Sequence, residues 1–587
     1  MQKKILVLVF IVLSQLLFSL PKALFVTTGD GDGRGTVSDG VILAMQELNK
    51  NGAITKLDNR KILYNPQKLE NYKILILSTA FGYHDADRLY SLSYLSETEM
   101  RNISNWVKNG GILISDNFIG RNRFDGSDRI NQNGVLDKNN WLLSKCFGVE
   151  LSEKNMNNFL IVSANEKIWK GNITNKFAED EWTTVVTNIT SKDSEIWANW
   201  VKEDETYPAI IKSNFGKGKT VLLANFNLVH PASDGGFSSS EEIKHFYRKI
   251  LNLAQEDYHY PISLHPWKNA KSSSFSISFN DDGSNDDYKR IINFLKTNNL
   301  KSNFFISNKI SDERLALLRK SPNINLGLYS FSKPDFRKLS YSQTCYELQQ
   351  NRAISPDAKG FRFPFTNNSF YGMLALEEEN LLFDSSIGID HLEFYRGSIF
   401  PYNLPIFSNG YYKNLDLLEI SQILRDDWYF FNKILSDKPY DVEQQKNDAR
   451  KFSAYLQSLW KRAILPNGGM MIISAHPLYS GYSEHTLKPL KDMLELAKKS
   501  DSWICSIDEI AIYWNKLLDL DLNVQETNNR VSITIHSNEN IEGLTLLLPQ
   551  KPNKLKYTGK YRIETKNDKV FLILTNAVNG EKITLYF

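Results

Sequence analysis

The sequence predicts an α/β protein in three parts: a parallel α/β domain, a (β/α) barrel and a small β-sandwich. Three observations carry this reading. The chain has 587 residues, 42% hydrophobic and 23% charged, a globular balance at a length beyond one core, since domains run to ~100–200 residues. Up to about residue 518, apolar runs of strand length alternate with segments of helical period, the pattern of parallel sheets covered by helices. From residue 519 the helical period stops, and short apolar runs alternate with turn residues.

Residues 1–23 stand apart. "MQKK" precedes "ILVLVFIVLSQLLFSL", and "PKA" follows. A basic start, an apolar run and a small residue near position 23 read as a secretory signal peptide, so a secreted or periplasmic location is expected. The rival reading is an uncleaved anchor, since the run approaches the ~20 residues that span a bilayer; a membrane is a partner only in that case. Net charge is +3, from 70 basic and 67 acidic residues, which excludes nucleic acid as an expected partner. The three cysteines, Cys146, Cys345 and Cys505, lie far apart and read as small hydrophobes rather than a disulfide framework.

The first part spans residues 24–255. "ALFVTTGD" reads as a buried strand ending in a polar loop, and "GVILAMQELNKNG" as a helix with a Gly stop. "YKILILST" and "ILISDN" are strands around the helix "ETEMRNISNWVKNGG"; "FGKGKTVLLANF" is a turn and strand, and "SSEEIKHFYRKILNLA" a closing helix. "GDGDGRG" (Gly29–Gly35) lacks the later Glu of a calcium loop and the Gly-Lys-Ser/Thr of a phosphate loop, so it reads as a turn. The layout resembles the class I glutamine-amidotransferase-like fold, a flavodoxin-like parallel α/β domain, in a non-catalytic form. The place for a nucleophilic Cys after "KILILST" holds "AFGYHD" instead, whose His84, Asp85 and Asp87 fit a solvated loop.

The second part spans residues 256–518 and holds the chemistry. "FSISFNDDG" ends a strand in two adjacent carboxylates, Asp281 and Asp282, which point in different directions. "GFRFPF" offers Arg362, Pro364 and Phe365; "LLFDSSIGID" offers Asp384; "LDLLEISQILRDDW" ends in Trp428; "GMMIISAHP" ends a buried strand in His476. "DDYKRIINFLKTNN", "SQTCYELQQNR" and "TLKPLKDMLELAKKS" are helical segments between them. Repeated βα units with polar strand ends place a site at the barrel's C-terminal face.

In order, "SFNDDG", "GLYSFSKPDF", "RFPF", "FDSSIG" and "ISAHP" resemble the motifs of the NodB-homology polysaccharide deacetylases, carbohydrate esterase family four, over about Ser272–Tyr513. The resemblance implies a deformed (β/α)7-type barrel and hydrolysis of the amide bond of N-acetyl sugars. It implies Asp281 as base, Asp282 as metal ligand, and Arg362 orienting Asp281 with support from Asp384. It also implies His476 as general acid and a polysaccharide or oligosaccharide as partner. Pro364, Phe365 and Trp428 would line the substrate cleft.

One motif departs from the family. In "GLYSFSKPDF" the two histidine ligands fall on Tyr329 and Lys333. An ammonium has no lone pair for a metal, and a neutral phenol is a poor zinc ligand. No cofactor is therefore expected; a divalent metal such as zinc would need rescue by other residues, with His259, His265, Asp390 and His391 the nearest in sequence. Lys333 is expected to fill the cation position and pair with Asp281 or Asp282. Two functions stand side by side: a deacetylase-type hydrolase with a degenerate metal site, and an inactive carbohydrate-binding or scaffold pseudoenzyme. The third part, residues 519–587, with "RVSITIHS", "GLTLLLP", "YRIETKND" and "KVFLILTN", reads as a packing sandwich.

Overall fold

Four apolar runs in the N-terminal part, Lys22–Val26, Ile54–Asp58, Ile74–Leu77 and Ile112–Asp116, form parallel strands, and Gly218–Leu223 adds a fifth beside the last of them. Numbered along the chain, their order in the sheet is 2-1-3-4-5. The antiparallel strands Glu205–Phe215, Glu195–Lys202 and Leu160–Ser163 extend the sheet on one side. Both faces are covered. Helices Asp39–Lys50 and Ser240–Gln255 pack on one through Ile42, Met45, Phe246 and Ile250. Helix Glu97–Lys108 packs on the other through Met100, Ile103 and Trp106. The computed structural model describes residues 16–19, 22–26, 39–77, 89, 91–155, 159–163, 182–224, 240–390, 397–408, 411–436 and 439–587. The glycine-rich stretch Gly29–Gly35, the His84, Asp85 and Asp87 loop, and His391 lie outside these.

The middle part is a curled parallel sheet. Its strands are β1 (Ser274–Asn280), β2 (Ser302–Ile306), β3 (Ile324–Leu328), β4 (Gly360–Phe361), β5 (Phe383–Asp384), β6 (Tyr411–Glu419) and β7 (Met470–Ala475). They pair in the order β6-β5-β4-β3-β2-β1-β7, and Tyr402–Ser408 adds an antiparallel edge beside β6. Among the described residues β7 and this edge strand are not hydrogen-bonded to each other, so the sheet curls without closing. β1 and β7 are buried along their whole length, which explains their uninterrupted runs of apolar and small residues. Four helices outside the sheet start at a capping serine. Ser284, Ser340, Ser483 and Ser506 each accept the amide three residues on, in capping boxes that fix the turn after a strand or loop.

The C-terminal part is two antiparallel sheets facing each other. One holds Asp521–Thr527, Arg530–His536, Lys582–Tyr586 and Lys554–Lys556; the other holds Ile541–Leu548, Lys569–Ala577 and Tyr561–Lys566. Each also takes a strand from far away in sequence: Leu16–Ser19 pairs with Asp521–Thr527, and Ser263–Leu264 with Ile541–Leu548. A cut at residue 23 would remove Leu16–Ser19 and the first residues of the strand Lys22–Val26. One apolar cluster runs from Phe275, Ile473 and Trp514 of the middle part into Val524, Ile533, Leu546 and Leu585 of the sandwich. Packing against the middle part is thus built into the sandwich core. Among the described residues no helix is long and apolar enough to cross a membrane.

Candidate functional site

The site is built at the C-terminal ends of the middle strands. β1 ends in Asn280, followed by Asp281 and Asp282, and Gly283 turns the chain at φ +137°. A side chain at that glycine would put its Cβ 2.8 Å from the Leu478 amide nitrogen, and that amide donates to the Asp282 carbonyl at 3.0 Å. The turn therefore ties the two acids to the segment that carries His476.

Asp281 is buried. Its Oδ2 accepts from the Ser307 amide at 2.7 Å and from the Ser307 hydroxyl at 2.5 Å, just beyond β2. Its Oδ1 lies 2.7 Å from the Lys333 ammonium. The same ammonium lies 3.0 Å from Oδ1 of Asp282, whose side chain is 46% exposed. Lys333 comes from the loop after β3. That loop is strained, with Ser330 at φ 125° and Lys333 at φ 58°. Helix Tyr341–Ile354 holds it there: Asn351 accepts the Ser330 amide at 3.0 Å, and Glu347 accepts both the amide and hydroxyl of Ser332 at 2.8 and 2.6 Å. The Lys333 nitrogen also sits 5.0 Å from the centre of the Tyr329 ring. Burial opposes the charge on Lys333, but Asp281 and Asp282 outweigh it and hold the ammonium above the ordinary lysine range.

These residues do not fit the divalent metal that the resemblance implies. The cation between the two carboxylates is the chain's own ammonium. Burial, then the charges of Asp282 and Asp281, raise the Tyr329 phenol, so it stays neutral and a weak ligand. The candidate rescuers are elsewhere. His259 is largely exposed, 3.5 Å from Glu526; His265 is half-buried and bonded to the Lys271 carbonyl at 2.7 Å; Asp390 pairs with Arg425 at 3.0 Å.

Arg362 follows β4 and is fully buried, with its guanidinium 4.2 Å from the centre of the Phe305 ring. The expected contact with Asp281 is not made. Nε donates to the Ser385 carbonyl at 3.0 Å. Nη1 donates to Asn280 Oδ1 at 3.2 Å and Ser474 Oγ at 3.1 Å, and Nη2 to Ser278 Oγ at 2.8 Å and Ser385 Oγ at 3.2 Å. All five N–H groups of the arginine are spent on neutral oxygens, which leaves none for a carboxylate. Burial pulls its pKa down to about 10, so it remains a cation at neutral pH.

Asp384 does not join an Asp281 network either. It sits opposite Glu419 in the β5–β6 register, and both are fully buried. Asp384 accepts the Ser386 hydroxyl at 2.7 Å, and Glu419 accepts the Ile387 amide at 3.0 Å. Burial raises Asp384 to about 6, and burial and the Asp384 charge raise Glu419 well above the usual range. The two facing carboxyls titrate as a coupled pair, with protonation favoured by burial.

His476 ends β7. Its Nδ1 lies 2.7 Å from Asp427 Oδ1, and its amide donates to Asp427 Oδ2 at 2.8 Å. Asp427 Oδ2 also accepts the amide and hydroxyl of Ser480, at 3.1 and 2.7 Å. On the other side, Asn280 Nδ2 lies 3.1 Å from His476 Nε2. Burial disfavours the imidazolium, while the charges of Asp427, Asp426 and Asp282 pull the other way. Asp426, Asp427 and His476 offer ligand atoms within 4.8 Å of one another, but Asp427 is filled by protein hydrogens, so the group reads as a His–Asp dyad.

The structure thus gathers Asp281, Asp282, Lys333, Tyr329 and His476, and links Arg362 to His476 rather than to Asp281. Pro364 is buried, whereas Phe365 is 70% and Trp428 50% exposed. Asn280, Ser307, Asp427 and Glu419 went unread in the sequence. For Asp427 the signal was its position beside Trp428 after a strand; for Asn280 there was none beyond its place before the acids.

A family profile for the beta-galactosidase trimerisation domain matches residues 65–255. No curated protein matches the chain. Among solved structures, a Mycobacterium smegmatis protein assigned as a polysaccharide deacetylase is similar at 15% identity, over 43% of this chain and 93% of that one, with a TM-score of 0.36. A carbohydrate esterase family four pseudoenzyme from Bacillus anthracis is similar at 15% identity, over 42% and 66%, with a TM-score of 0.27. A family 4 carbohydrate esterase from Streptomyces lividans, in complex with acetate, is similar at 14% identity, over 40% and 93%, with a TM-score of 0.25.

Proposed function

We propose that the chain is an exported, deacetylase-like protein that binds an acetylated glycan at the strand ends of its middle domain without metal-dependent hydrolysis. The observation that carries this reading is the Lys333 ammonium, 2.7 Å from Asp281 and 3.0 Å from Asp282. It occupies the cation position with a group that cannot acidify a water or polarise a carbonyl as a Lewis acid does. Asp281 is closed off as a base, because Ser307 and Lys333 take both of its oxygens inside the fold.

The remaining features suit binding. Asp282 keeps a half-exposed carboxylate for sugar hydroxyls, and Phe365 and Trp428 offer aromatic faces. The signal-like segment supports a secreted or periplasmic setting. The 2-1-3-4-5 parallel order supports a flavodoxin-like layout for the N-terminal part, and the trimerisation-domain match supports an assembly role there.

The test is acetate release from N-acetylglucosamine oligomers with and without chelator, beside calorimetric binding and metal analysis of the purified chain. Binding without acetate release and without bound metal is expected. Release that a chelator abolishes, with one zinc per chain, would overturn the reading. A second reading, metal-free hydrolysis, rests on the His476–Asp427 dyad and would show as chelator-resistant release.

A further inference from the structure

The hydrogen bonds around His476 assign it a different role from the acid that its strand-end position suggests. Arg362 spends two of its N–H groups, both on Nη1, on Asn280 Oδ1 and Ser474 Oγ, and its other three are also engaged. A guanidinium only donates. The atom of Asn280 that faces it must therefore be the carbonyl oxygen, which turns the Asn280 NH2 toward His476. That amide nitrogen lies 3.1 Å from Nε2. An N–H aimed at Nε2 requires a lone pair there. The other ring nitrogen, Nδ1, then carries the hydrogen and donates it to Asp427 at 2.7 Å. The reverse orientation would set two donors against each other at Arg362, inside a fully buried site.

We infer that Arg362, acting through Asn280, holds His476 as a neutral imidazole with Nε2 as an acceptor. With Nδ1–H bonded to Asp427 and the Nε2 lone pair bonded to the Asn280 amide, the ring has no proton on Nε2 to give to a leaving group. Arg362 and Asn280 are positioning residues. The protonation state is a property of the free protein and does not depend on the glycan-binding reading.

Two influences compete at this ring. The carboxylates that face it, Asp426 and Asp427 at the helix Asp427–Phe431 and Asp282 beyond β1, favour the imidazolium. The Tyr479 ring packs edge-on at 5.3 Å from its own helix, and Lys333 offsets Asp282 from the far side. Against these stands one oriented N–H from Asn280, backed by a charge that cannot be released. A protonated Nε2 would face that N–H in a buried site, an arrangement that costs a hydrogen bond and adds a repulsion.

The experiment is NMR of the full, ligand-free chain labelled at histidine rings, with His476 assigned by His476→Gln. The expected result is a neutral Nδ1–H ring at pH 7.5. Asn280→Asp and Asn280→Leu both remove the amide donor, and both should raise the His476 midpoint by about two pH units, a ~100-fold gain in proton affinity. A doubly protonated His476 in the wild-type chain at pH 7.5 would overturn the inference. So would midpoints in both variants equal to that of the wild type. Failure of glycan binding, measured separately, bears on the proposed function and leaves this result standing.

Discussion

Lys333 and Asp281 form a buried ion pair at 2.7 Å, with the lysine side chain 9% exposed and the aspartate side chain fully buried. The pair closes the position between two adjacent carboxylates, and the strained loop after β3 is fastened to a neighbouring helix to deliver it. Two acids that would repel each other at the end of β1 are thereby made compatible.

Removing the ammonium should therefore be costly. Lys333→Met keeps most of the stem and leaves Asp281 buried without its cation. Breaking a buried pair this way costs ~3–5 kcal/mol, and the half-exposed Asp282 lowers the expectation to about 2–4 kcal/mol. Chemical denaturation at pH 7.5 measures it. A variant as stable as the wild type would show the pair to be ornamental.

The complementary change is Tyr329→His with Lys333→His. It removes the cation and supplies two imidazoles around Asp282. The backbone at 333 is left-handed, at φ 58°, a conformation histidine tolerates better than most residues. The double variant should bind about one zinc per chain, read by elemental analysis after dialysis, while the wild type binds none. Absence of zinc in the double variant would mean that the loop does not present these positions as ligands.

Trp428 is half-exposed and follows Asp427, the partner of His476. If aromatic faces hold the sugar, Trp428→Ala should weaken oligosaccharide binding about tenfold, on the order of 1.4 kcal/mol. Its melting temperature should stay within a degree or two of the wild type, because little buried surface is lost. Unchanged affinity by calorimetry would remove Trp428 from the cleft.

The elements were legible where local chemistry decides them. The helices Asn285–Thr297, Tyr341–Ile354 and Glu484–Lys499 were read from their period, and each starts at a serine cap, a signal that acts within three residues. Asp281, Asp282 and His476 were legible because acids and a histidine end apolar strands. The target of Arg362 was not, since its acceptors Ser278, Ser385, Ser474 and Asn280 look like any strand serines until the sheet aligns them. Asp427 was missed because its partner lies 49 residues on, and an acid pair before Trp428 also reads as an ordinary helix start. Ser263–Leu264 could not be assigned to the sandwich from sequence, because two residues carry no period.

The Asp384–Glu419 pair gives the site region a pH dependence whose sign follows from burial. Burial raises Asp384 to about 6, above its ordinary value of 3.8, and raises Glu419 further. A carboxyl with a raised pKa binds its proton more tightly in the folded chain than in the unfolded one. Its contribution is therefore most favourable at low pH and is lost as pH rises through about 6. For Asp384 the loss between pH 5 and pH 8 is on the order of 1 kcal/mol. Glu419→Gln tests this, because it removes the proton that Glu419 takes up on folding and leaves an amide beside Asp384. The stability of the wild type, minus that of the variant, should fall as pH rises from 5 to 8 in urea melts. A difference that stays flat, or rises with pH, would mean that burial does not favour protonation of the pair in the folded state.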